Sequence, residues 1–183
     1  MTVTNLTIEG ASTAIDCREF TGIRFTNAGG SVTNTTVDHL LRDDPAARGC
    51  QNGLGIYANN ADGQPVREIT ISDDTVTDYN KNGITVNGPM VATISGNVVT
   101  GSGPVLLGYA AQNGIQVGFG ASALVTGNSV SGNDYLPSED VACGILVYQA
   151  SGVRQNRNDL SANEQDFCNF GRGGGKVAAS PSS

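Results

Sequence analysis

The sequence predicts an all-β solenoid, in which short coils of similar length stack on one another. The first observation is a glycine followed by alternating apolar residues, as in Gly114-Ile115-Gln116-Val117, which recurs along most of the chain. The second is an asparagine-centred motif that keeps step with it, as in Ile94–Val99 and Val125–Val130. The motif glycines are separated by 31, 30, 31 and 30 residues and lie at Gly22, Gly53, Gly83, Gly114 and Gly144. A repeat of this regularity indicates the fold class before any propensity is considered.

Each motif glycine opens a predicted strand. A strand places alternate side chains on the same face, so the two apolar residues of each motif share one face. These pairs are Ile23/Phe25, Leu54/Ile56, Ile84/Val86, Ile115/Val117 and Ile145/Val147. One coil cannot bury that face alone, but stacked coils bury it as a continuous core, at ~1.5–3 kcal/mol for each covered Ile, Val or Leu.

The asparagine motif predicts a further strand and a turn in each coil. Looser copies begin at Val3, Val32, Ile71 and Gln155. Asparagine tolerates left-handed backbone and bonds to backbone groups in turns. On rungs ~4.8 Å apart, we expect Asn97, Asn128 and Asn158 to form an internal amide ladder. Asp74 and Thr35 replace asparagine in earlier coils, so the ladder should be imperfect there.

With its repeated Asn-Gly-Ile-x-Val and Val-x-Gly-Asn-x-Val strings, the chain resembles the right-handed parallel β-helix proteins of the pectate-lyase-like superfamily over about Val3 to Phe170. The resemblance implies a single-stranded, right-handed parallel β-helix (solenoid) of about five to six coils. We expect this domain over 1–170, followed by a flexible Gly/Ala/Ser-rich tail over 171–183. The wider family includes polysaccharide lyases, hydrolases, epimerases and solenoids without known activity, so the resemblance implies a fold and leaves the reaction open.

The charge balance restricts the partners of the protein. The chain has 10 Lys plus Arg against 17 Asp plus Glu, for a formal net charge of −7. This balance argues against nucleic acid and anionic membrane surfaces, which need a basic patch. It also disfavours a strongly anionic polysaccharide unless Ca²⁺ bridges it. The sequence has no apolar run approaching the ~20 residues of a membrane span.

Four cysteines fall into two local pairs. Cys17 and Cys50 precede motif glycines of neighbouring coils, while Cys143 directly precedes Gly144 and Cys168 follows one coil later. Disulfides Cys17–Cys50 and Cys143–Cys168 are expected near the two ends of the solenoid; four buried free thiols are the alternative. Disulfides imply an oxidising compartment, so we expect a secreted, extracellular protein. Met1 leads into a strand without a signal region, which favours a removed signal or a fragment with neighbouring domains.

The outward positions of the predicted coils are polar, which suits a polysaccharide or other glycan. Loops before the glycines at 53, 114 and 144 should meet at one corner and wall a groove there. In the glycine motifs, the outward side chains offer amides for sugar hydroxyls and aromatic rings for sugar faces. The candidate substrate-binding residues are Arg24, Tyr57, Thr85, Asn87, Gln116 and Tyr148. An ordinary solvated sheet face is the alternative.

A candidate catalytic cluster lies in the turns after the asparagine motif. His39 and Asp78 each lie two residues past the last valine of a copy of that motif, so the repeat places them on adjacent rungs, with Lys81 nearby. A histidine beside a carboxylate can serve as a general acid or base. Lys81 could neutralise a sugar carboxylate. A surface ion pair worth ~0–1 kcal/mol is the alternative.

Other catalytic and metal signatures are weaker. Alternation directs Asp73 and Asp74 to opposite faces, unlike a pair of hydrolase carboxylates, and the sequence lacks a zinc motif. Scattered carboxylates could supply ligands for Ca²⁺; they are Asp43, Asp44, Asp134, Glu139 and Asp140.

Two hypotheses about function follow from the sequence. The chain recognises or acts on polysaccharide along its outer face, as a lyase or glycoside hydrolase if it is an enzyme, or it is a structural or adhesive module.

Overall fold

The computed structural model describes residues 1–10, 17–42, 44–137 and 139–171. In these ranges the secondary structure is eighteen strands and one 3-10 turn, Pro45–Ala47, and no helix is long and apolar enough to cross a membrane. The predicted tail lies, after Gly171, outside the described residues. The strands are β1 Thr2–Thr4, β2 Thr7–Glu9, β3 Thr21–Thr26, β4 Gly30–Thr33, β5 Thr36–Asp38, β6 Leu54–Asn59, β7 Arg67–Ser72, β8 Thr75–Thr77, β9 Asn82–Asn87, β10 Met90–Ser95, β11 Val98–Thr100, β12 Asn113–Gly118, β13 Ser122–Thr126, β14 Ser129–Ser131, β15 Cys143–Tyr148, β16 Val153–Asn156, β17 Asp159–Ser161 and β18 Gln165–Phe170.

The strands form three parallel sheets of six strands each, and every coil contributes one strand to each sheet. The first sheet has the order β1-β4-β7-β10-β13-β16, the second β2-β5-β8-β11-β14-β17, and the third β3-β6-β9-β12-β15-β18. Six stacked coils result. The prediction of a parallel β-helix of about five to six coils is confirmed.

The core fills the space between the three sheets. In the fourth coil, Ile94 from the first sheet, Val99 from the second and Ile115 from the third are all fully buried. Equivalent side chains lie above and below them, because the strands pair in register, as Ile84 with Ile115 and Ile115 with Ile145. The alternating apolar residues of the repeats therefore form one continuous hydrophobic stack.

The series of motif glycines, which we call the glycine ladder, differs from the prediction at its second member. In the third sheet Ile56 pairs with Ile23 and Ile84, so Gly55, not Gly53, is the second-coil equivalent, and its inward pair is Ile56/Ala58. The ladder glycines lie where the chain passes close to the second sheet. A Cβ on Gly55 would overlap the Cγ1 of Val76, and similar contacts with a valine Cγ1 occur at Gly22, Gly83 and Gly114. The close approach, and not the sequence interval, selects the glycine.

The internal amide ladder is confirmed. Asn97 Nδ2 donates to Asn128 Oδ1, and Asn128 Nδ2 donates to Asn158 Oδ1, both at 2.9 Å. The preceding residue supplies the left-handed backbone of each turn, as Gly96 and Gly127 do with φ of 68° and 66°. The glycine makes the turn and the asparagine makes the ladder hydrogen bonds, which explains the Gly-Asn order of the motif.

Both predicted disulfides are present. Cys17–Cys50 joins the first coil to the second, with a Cα–Cα distance of 5.3 Å, and Cys143–Cys168 joins the fifth to the sixth, at 6.0 Å. No cysteine of the chain is free. Each disulfide thus ties a terminal coil to its single neighbour.

The three loops predicted to share a corner contact one another. The Ala110 amide donates to Arg48 O at 2.8 Å, which joins the loop before β6 to the loop before β12. Val105 and Tyr135 form a parallel bridge between the loops before β12 and β15, and they bury a small apolar cluster with Ala111 and Ala142. The loops therefore form a second, local core outside the coils.

Candidate functional site

A groove with a volume of ≈ 1270 Å³ runs over the outer face of the third sheet. Its floor consists of outward side chains of β3, β6, β9 and β12. One wall is formed by residues before the strands, and the other by turns that follow them. The lining residues are Cys17, Glu19, Arg24, Gln51, Asn52, Leu54, Tyr57, Asn59, Asn60, Ala61, Asp62, Asn82, Thr85, Asn87, Gly88, Pro89, Gln116, Phe119, Gly120 and Gln149.

Five of the six predicted substrate-binding residues line this groove, and Tyr148 does not. The floor is not an ordinary solvated sheet face, because Thr85 is only 2% exposed, Gln116 4% and Tyr57 9%. Register explains the cluster: Arg24, Tyr57, Thr85 and Gln116 form one row across the sheet. Counting from Gly53 as the second motif glycine would align Tyr57 with Asn87, but the register aligns it with Thr85.

A chain of side-chain hydrogen bonds crosses the floor. Asn113 Nδ2 donates to Asn82 Oδ1 at 3.0 Å, and Asn82 Nδ2 donates to Gln116 Oε1 and Thr85 Oγ1, both at 3.0 Å. Gln116 Nε2 then donates to Asn87 Oδ1 at 3.1 Å. Buried polar groups are costly unless they are hydrogen-bonded, so this network fixes the side chains that it joins.

Tyr57 lies beside an arginine on the groove floor. Burial raises the pKa of Tyr57, while the hydrogen bond from the Asn87 side chain and the charge of Arg24 lower it in part. The Arg24 guanidinium lies 5.4 Å from the centre of the Tyr57 ring, and it pairs with the Glu19 carboxylate. The end of the groove formed by the first coils therefore combines a phenol, a cation and a carboxylate.

The opposite end of the groove is more apolar. Phe119 lines it and packs against Tyr148 with ring centres 5.3 Å apart. Beyond Gln116 in the same row, Leu146 is buried beside the Cys143–Cys168 disulfide. Tyr148 thus supports an aromatic residue of the groove without lining the groove itself.

A family model described as right handed beta helix region matches residues 21–178, which is most of the chain. The chain belongs to this family. A search of curated proteins and a search of solved structures each found no match. The family match is consistent with the predicted pectate-lyase-like resemblance, and it establishes a β-helix repeat fold without assigning a reaction to it.

In this β-helix protein, His39 and Asp78 are neighbours, as predicted. Leu40 and Tyr79 form a parallel bridge directly after them, and both His39 and Asp78 adopt left-handed backbone. His39 Nδ1 lies 3.1 Å from Asp38 Oδ2, and Asp38 Oδ1 accepts from the His39 amide and from Thr77 Oγ1. None of these residues lines the groove.

Lys81 has a different environment from His39 and Asp78. It is 2% exposed, and its Nζ donates to Ala111 O at 2.7 Å under the loop before β12. Burial lowers the pKa of Lys81 to about 8, and the charge of Asp140 opposes that effect. Lys81 therefore supports the loop, and the three predicted catalytic residues do not line the groove together.

Among the described residues, the one group of three side chains close enough to share a metal ion is Asp38, His39 and Asp78. The carboxylates named for Ca²⁺ form no such group there, and Asp43 lies outside the described residues. Asp44 instead accepts from the Ala46 amide and caps the 3-10 turn. Calcium binding stays a prediction.

Sequence reasoning missed several residues of the groove. Asn82 lines the groove, and Asn113 hydrogen-bonds to it from the next coil. Each precedes a motif glycine, and because the glycine side of the bend faces inward, these asparagines face outward. The repeated Asn-Gly-Ile string was the signal that could have revealed them. Glu19, Asp62 and Phe119 lie in turns whose positions depend on the three-dimensional path of the loops.

Proposed function

We propose that this β-helix protein binds a hydroxyl-rich polysaccharide in the groove of its third sheet. The observation that carries the proposal is the row of buried polar side chains on the groove floor, with Thr85, Gln116 and Asn87 held in place by their neighbours. Preorganised amides and hydroxyls bind sugar hydroxyls with little loss of side-chain entropy. A concave, partly apolar surface with a few fixed polar groups is typical of ligand sites.

The charges of the groove favour a neutral glycan over a polyanion. Its lining includes two carboxylates, Glu19 and Asp62, and one cation, Arg24, which already pairs with Glu19. The whole chain carries a net charge of −7. An acidic polysaccharide would therefore meet a groove, and a protein, of net negative charge.

Binding, and not a reaction, is the function that the groove supports best. The neighbouring carboxylate and histidine that sequence reasoning favoured for acid–base chemistry lie outside the groove lining. The two disulfides support an oxidising compartment, so we propose that the ligand is met outside the cell.

A structural or adhesive module is the second candidate. In the last coil Phe167 occupies the register position of Ile145, yet it is 40% exposed, whereas Ile145 is fully buried. Within the described residues no further coil covers that end. This favours packing against a neighbouring domain, with the groove then serving no ligand.

The test is a binding panel of xylan, mannan, β-glucan and starch, with polygalacturonate as the polyanion, each measured with and without Ca²⁺. We expect binding to a neutral polymer, and we expect Gln116→Leu to weaken it roughly three- to tenfold, because a lost hydrogen bond contributes ~0.5–1.5 kcal/mol. Gln155→Leu makes the same change on the first sheet, outside the groove, and should leave affinity unchanged. A wild-type protein that is folded and binds no polymer of the panel would favour the structural module.

A further inference from the structure

The turns that follow β5 and β8 bring three metal-ligand side chains together on the second and third coils. Asp38, His39 and Asp78 each offer a ligand atom, and these atoms all lie within 4.8 Å of one another. The Leu40 amide donates to Asp78 O at 2.8 Å, so the backbones of the two turns are joined beside the cluster. None of the three side chains lines the groove, so the cluster is separate from the proposed polysaccharide site.

Asp38 is held so that one of its oxygens faces the imidazole. Its Oδ1 accepts from the His39 amide at 2.8 Å and from Thr77 Oγ1 at 2.9 Å. Its Oδ2 lies 3.1 Å from His39 Nδ1. Two atoms at that separation can both reach the ~2.0–2.2 Å that Zn²⁺ requires of nitrogen and oxygen ligands. Hydrogen bonds that orient a carboxylate in this way are characteristic of the residues that support metal ligands.

The charge and exposure of the cluster suit a dication that keeps bound water. Two carboxylates and an imidazole form the group, and the metal would occupy the place of the proton between Nδ1 and Oδ2. The His39 side chain is 58% exposed and that of Asp38 is 29% exposed. Water can therefore complete the coordination on the solvent side.

The donor set selects a transition-metal ion over Ca²⁺. Ca²⁺ takes ~6–8 oxygen ligands, which two aspartates do not supply, and Asp38 Oδ1 already accepts two hydrogen bonds. An imidazole nitrogen beside carboxylates suits Zn²⁺ and its neighbours in the first transition series. His39 is the only histidine of the chain, and no cysteine is free. Binding that needs a nitrogen or sulfur side chain is therefore restricted to His39.

We propose that Asp38, His39 and Asp78 bind Zn²⁺ or a similar divalent transition-metal ion, which ties the second coil to the third. Asn80, two residues after Asp78, donates with Nδ2 to Cys50 O at 2.9 Å and to Asn52 O at 3.1 Å. An ion bound by Asp78 thereby steadies the turn that holds the loop before β6. The role of the ion is structural, and its binding does not rest on the proposed function of the groove.

The direct test is a Zn²⁺ titration of the tag-free chain in competition with a chromophoric chelator, repeated in excess Ca²⁺. We expect one Zn²⁺ per chain that Ca²⁺ does not displace. His39→Asn removes the imidazole and Asp78→Asn removes a carboxylate charge, and asparagine tolerates the left-handed backbone of both positions, with φ of 58° and 51°. Each variant should weaken Zn²⁺ binding about tenfold or more.

Asp73→Asn is the matched control, because Asp73 is an exposed aspartate of the third coil with the same left-handed backbone, at φ 58°. It should keep the wild-type Zn²⁺ affinity. Thr77→Val removes the hydroxyl that bonds Asp38 Oδ1 and should weaken binding roughly tenfold. Wild-type affinity in His39→Asn, or an equal loss in Asp73→Asn, would overturn the site.

A second readout needs no variant, since a single histidine gives one set of ring resonances. In ¹⁵N-labelled protein, Zn²⁺ should shift the resonance of His39 Nδ1, the nitrogen that faces Asp38. Ring resonances that stay in place at saturating Zn²⁺ would overturn the site even if His39→Asn did not fold. Gln116→Leu, on the groove floor, should leave the Zn²⁺-induced shift unchanged, so the groove and the metal site are tested separately.

Amide hydrogen exchange with and without Zn²⁺ tests the tie between the coils. An ion that binds only the folded state stabilises the structure around it. We expect saturating Zn²⁺ to slow exchange over 40–42, beside the cluster, and over 48–52, which Asn80 holds, while β14 keeps its exchange rate. Bound Zn²⁺ with unchanged exchange in both segments would overturn the structural role of the ion.

Discussion

At the scale of single residues, Asp74 shows how a carboxylate behaves in a place built for an amide. Asp74 Oδ1 accepts from the Thr35 amide at 2.8 Å, and its own amide donates to Asn97 Oδ1. Asn97 and Asn128 also donate with Nδ2 to a carbonyl of the preceding coil. Asp74 Oδ2 occupies the corresponding place, where it is buried without a partner. A proton on Oδ2 would restore the missing donor.

The charge state of Asp74 should therefore control stability. Burial raises the pKa of Asp74 from 3.8 to about 6. The folded state thus binds this proton more tightly than the unfolded state, and stability from this group is full below pH 3.8 and is lost as pH rises to about 6. At ~1.4 kcal/mol per tenfold change in proton affinity, the loss is ~3 kcal/mol at neutral pH.

We expect Asp74→Asn to raise the free energy of unfolding by ~2–3 kcal/mol at about pH 8 and by much less at about pH 4. Urea unfolding of the wild type and of Asp74→Asn at the two pH values measures this change in the free energy of unfolding. The other carboxylates titrate in both proteins, so their contributions cancel. Asp159→Asn makes the same change at an exposed aspartate that does not act on the Asp74 pKa, and it serves as the control. An equal gain at both pH values would show that Asp74 is not the titrating group.

At the scale of elements, the bend into the third sheet depends on glycine because the second sheet lies against it. A Cβ on Gly114 would overlap Val130 Cγ1 and lie 2.7 Å from Gly144 O. We expect Gly114→Ala to cost about 1–3 kcal/mol or more in chemical unfolding, since overpacking displaces rigid neighbours. Val130→Ala in the same chain should recover part of that loss, and Gly171→Ala, whose nearest contact is at 3.8 Å, should be neutral. No recovery by Val130→Ala would assign the cost to the backbone contact.

The bend into the third sheet also shows which parts of the fold could be predicted from the sequence and which could not. Period-two apolar residues such as Ile84/Val86 and Ile115/Val117 identify the coils because burial imposes that pattern on every strand. The interval between glycines misassigned Gly53, since an insertion before β6 shifts the spacing while the contact with Val76 selects Gly55. Predicting that contact requires the path of the second sheet.

The candidate site was predictable to a similar extent. Arg24, Thr85 and Gln116 followed from alternation, because a strand directs them outward whatever surrounds it. Their burial did not follow, since it depends on walls formed by turns from several coils. The different environment of Lys81 was not predictable either, because its side chain lies under a loop whose fold depends on contacts between residues far apart in sequence.

At the scale of the whole molecule, a solenoid is stabilised mainly by contacts between neighbouring coils. The central strands β9 and β12 are buried at every residue, whereas β2 and β17 alternate exposed and half-buried residues. We therefore expect amide hydrogen exchange to be slowest in β9 and β12 and to quicken toward both ends. Local opening of the end coils exposes less apolar surface than opening of the centre.

The disulfides should flatten this gradient, because each ties an end coil to its neighbour. We expect the Cys143→Ser/Cys168→Ser variant to exchange faster in β16–β18 while β9 keeps its wild-type protection, since a closed loop of this kind contributes about 2–4 kcal/mol to the segment that it joins. Cys17→Ser/Cys50→Ser should act in the same way on β1–β3. Hydrogen exchange followed by mass spectrometry resolves the two ends. If β9 loses as much protection as the end strands in these variants, all six coils unfold as one cooperative unit. The disulfides would then stabilise the centre as much as the end coils.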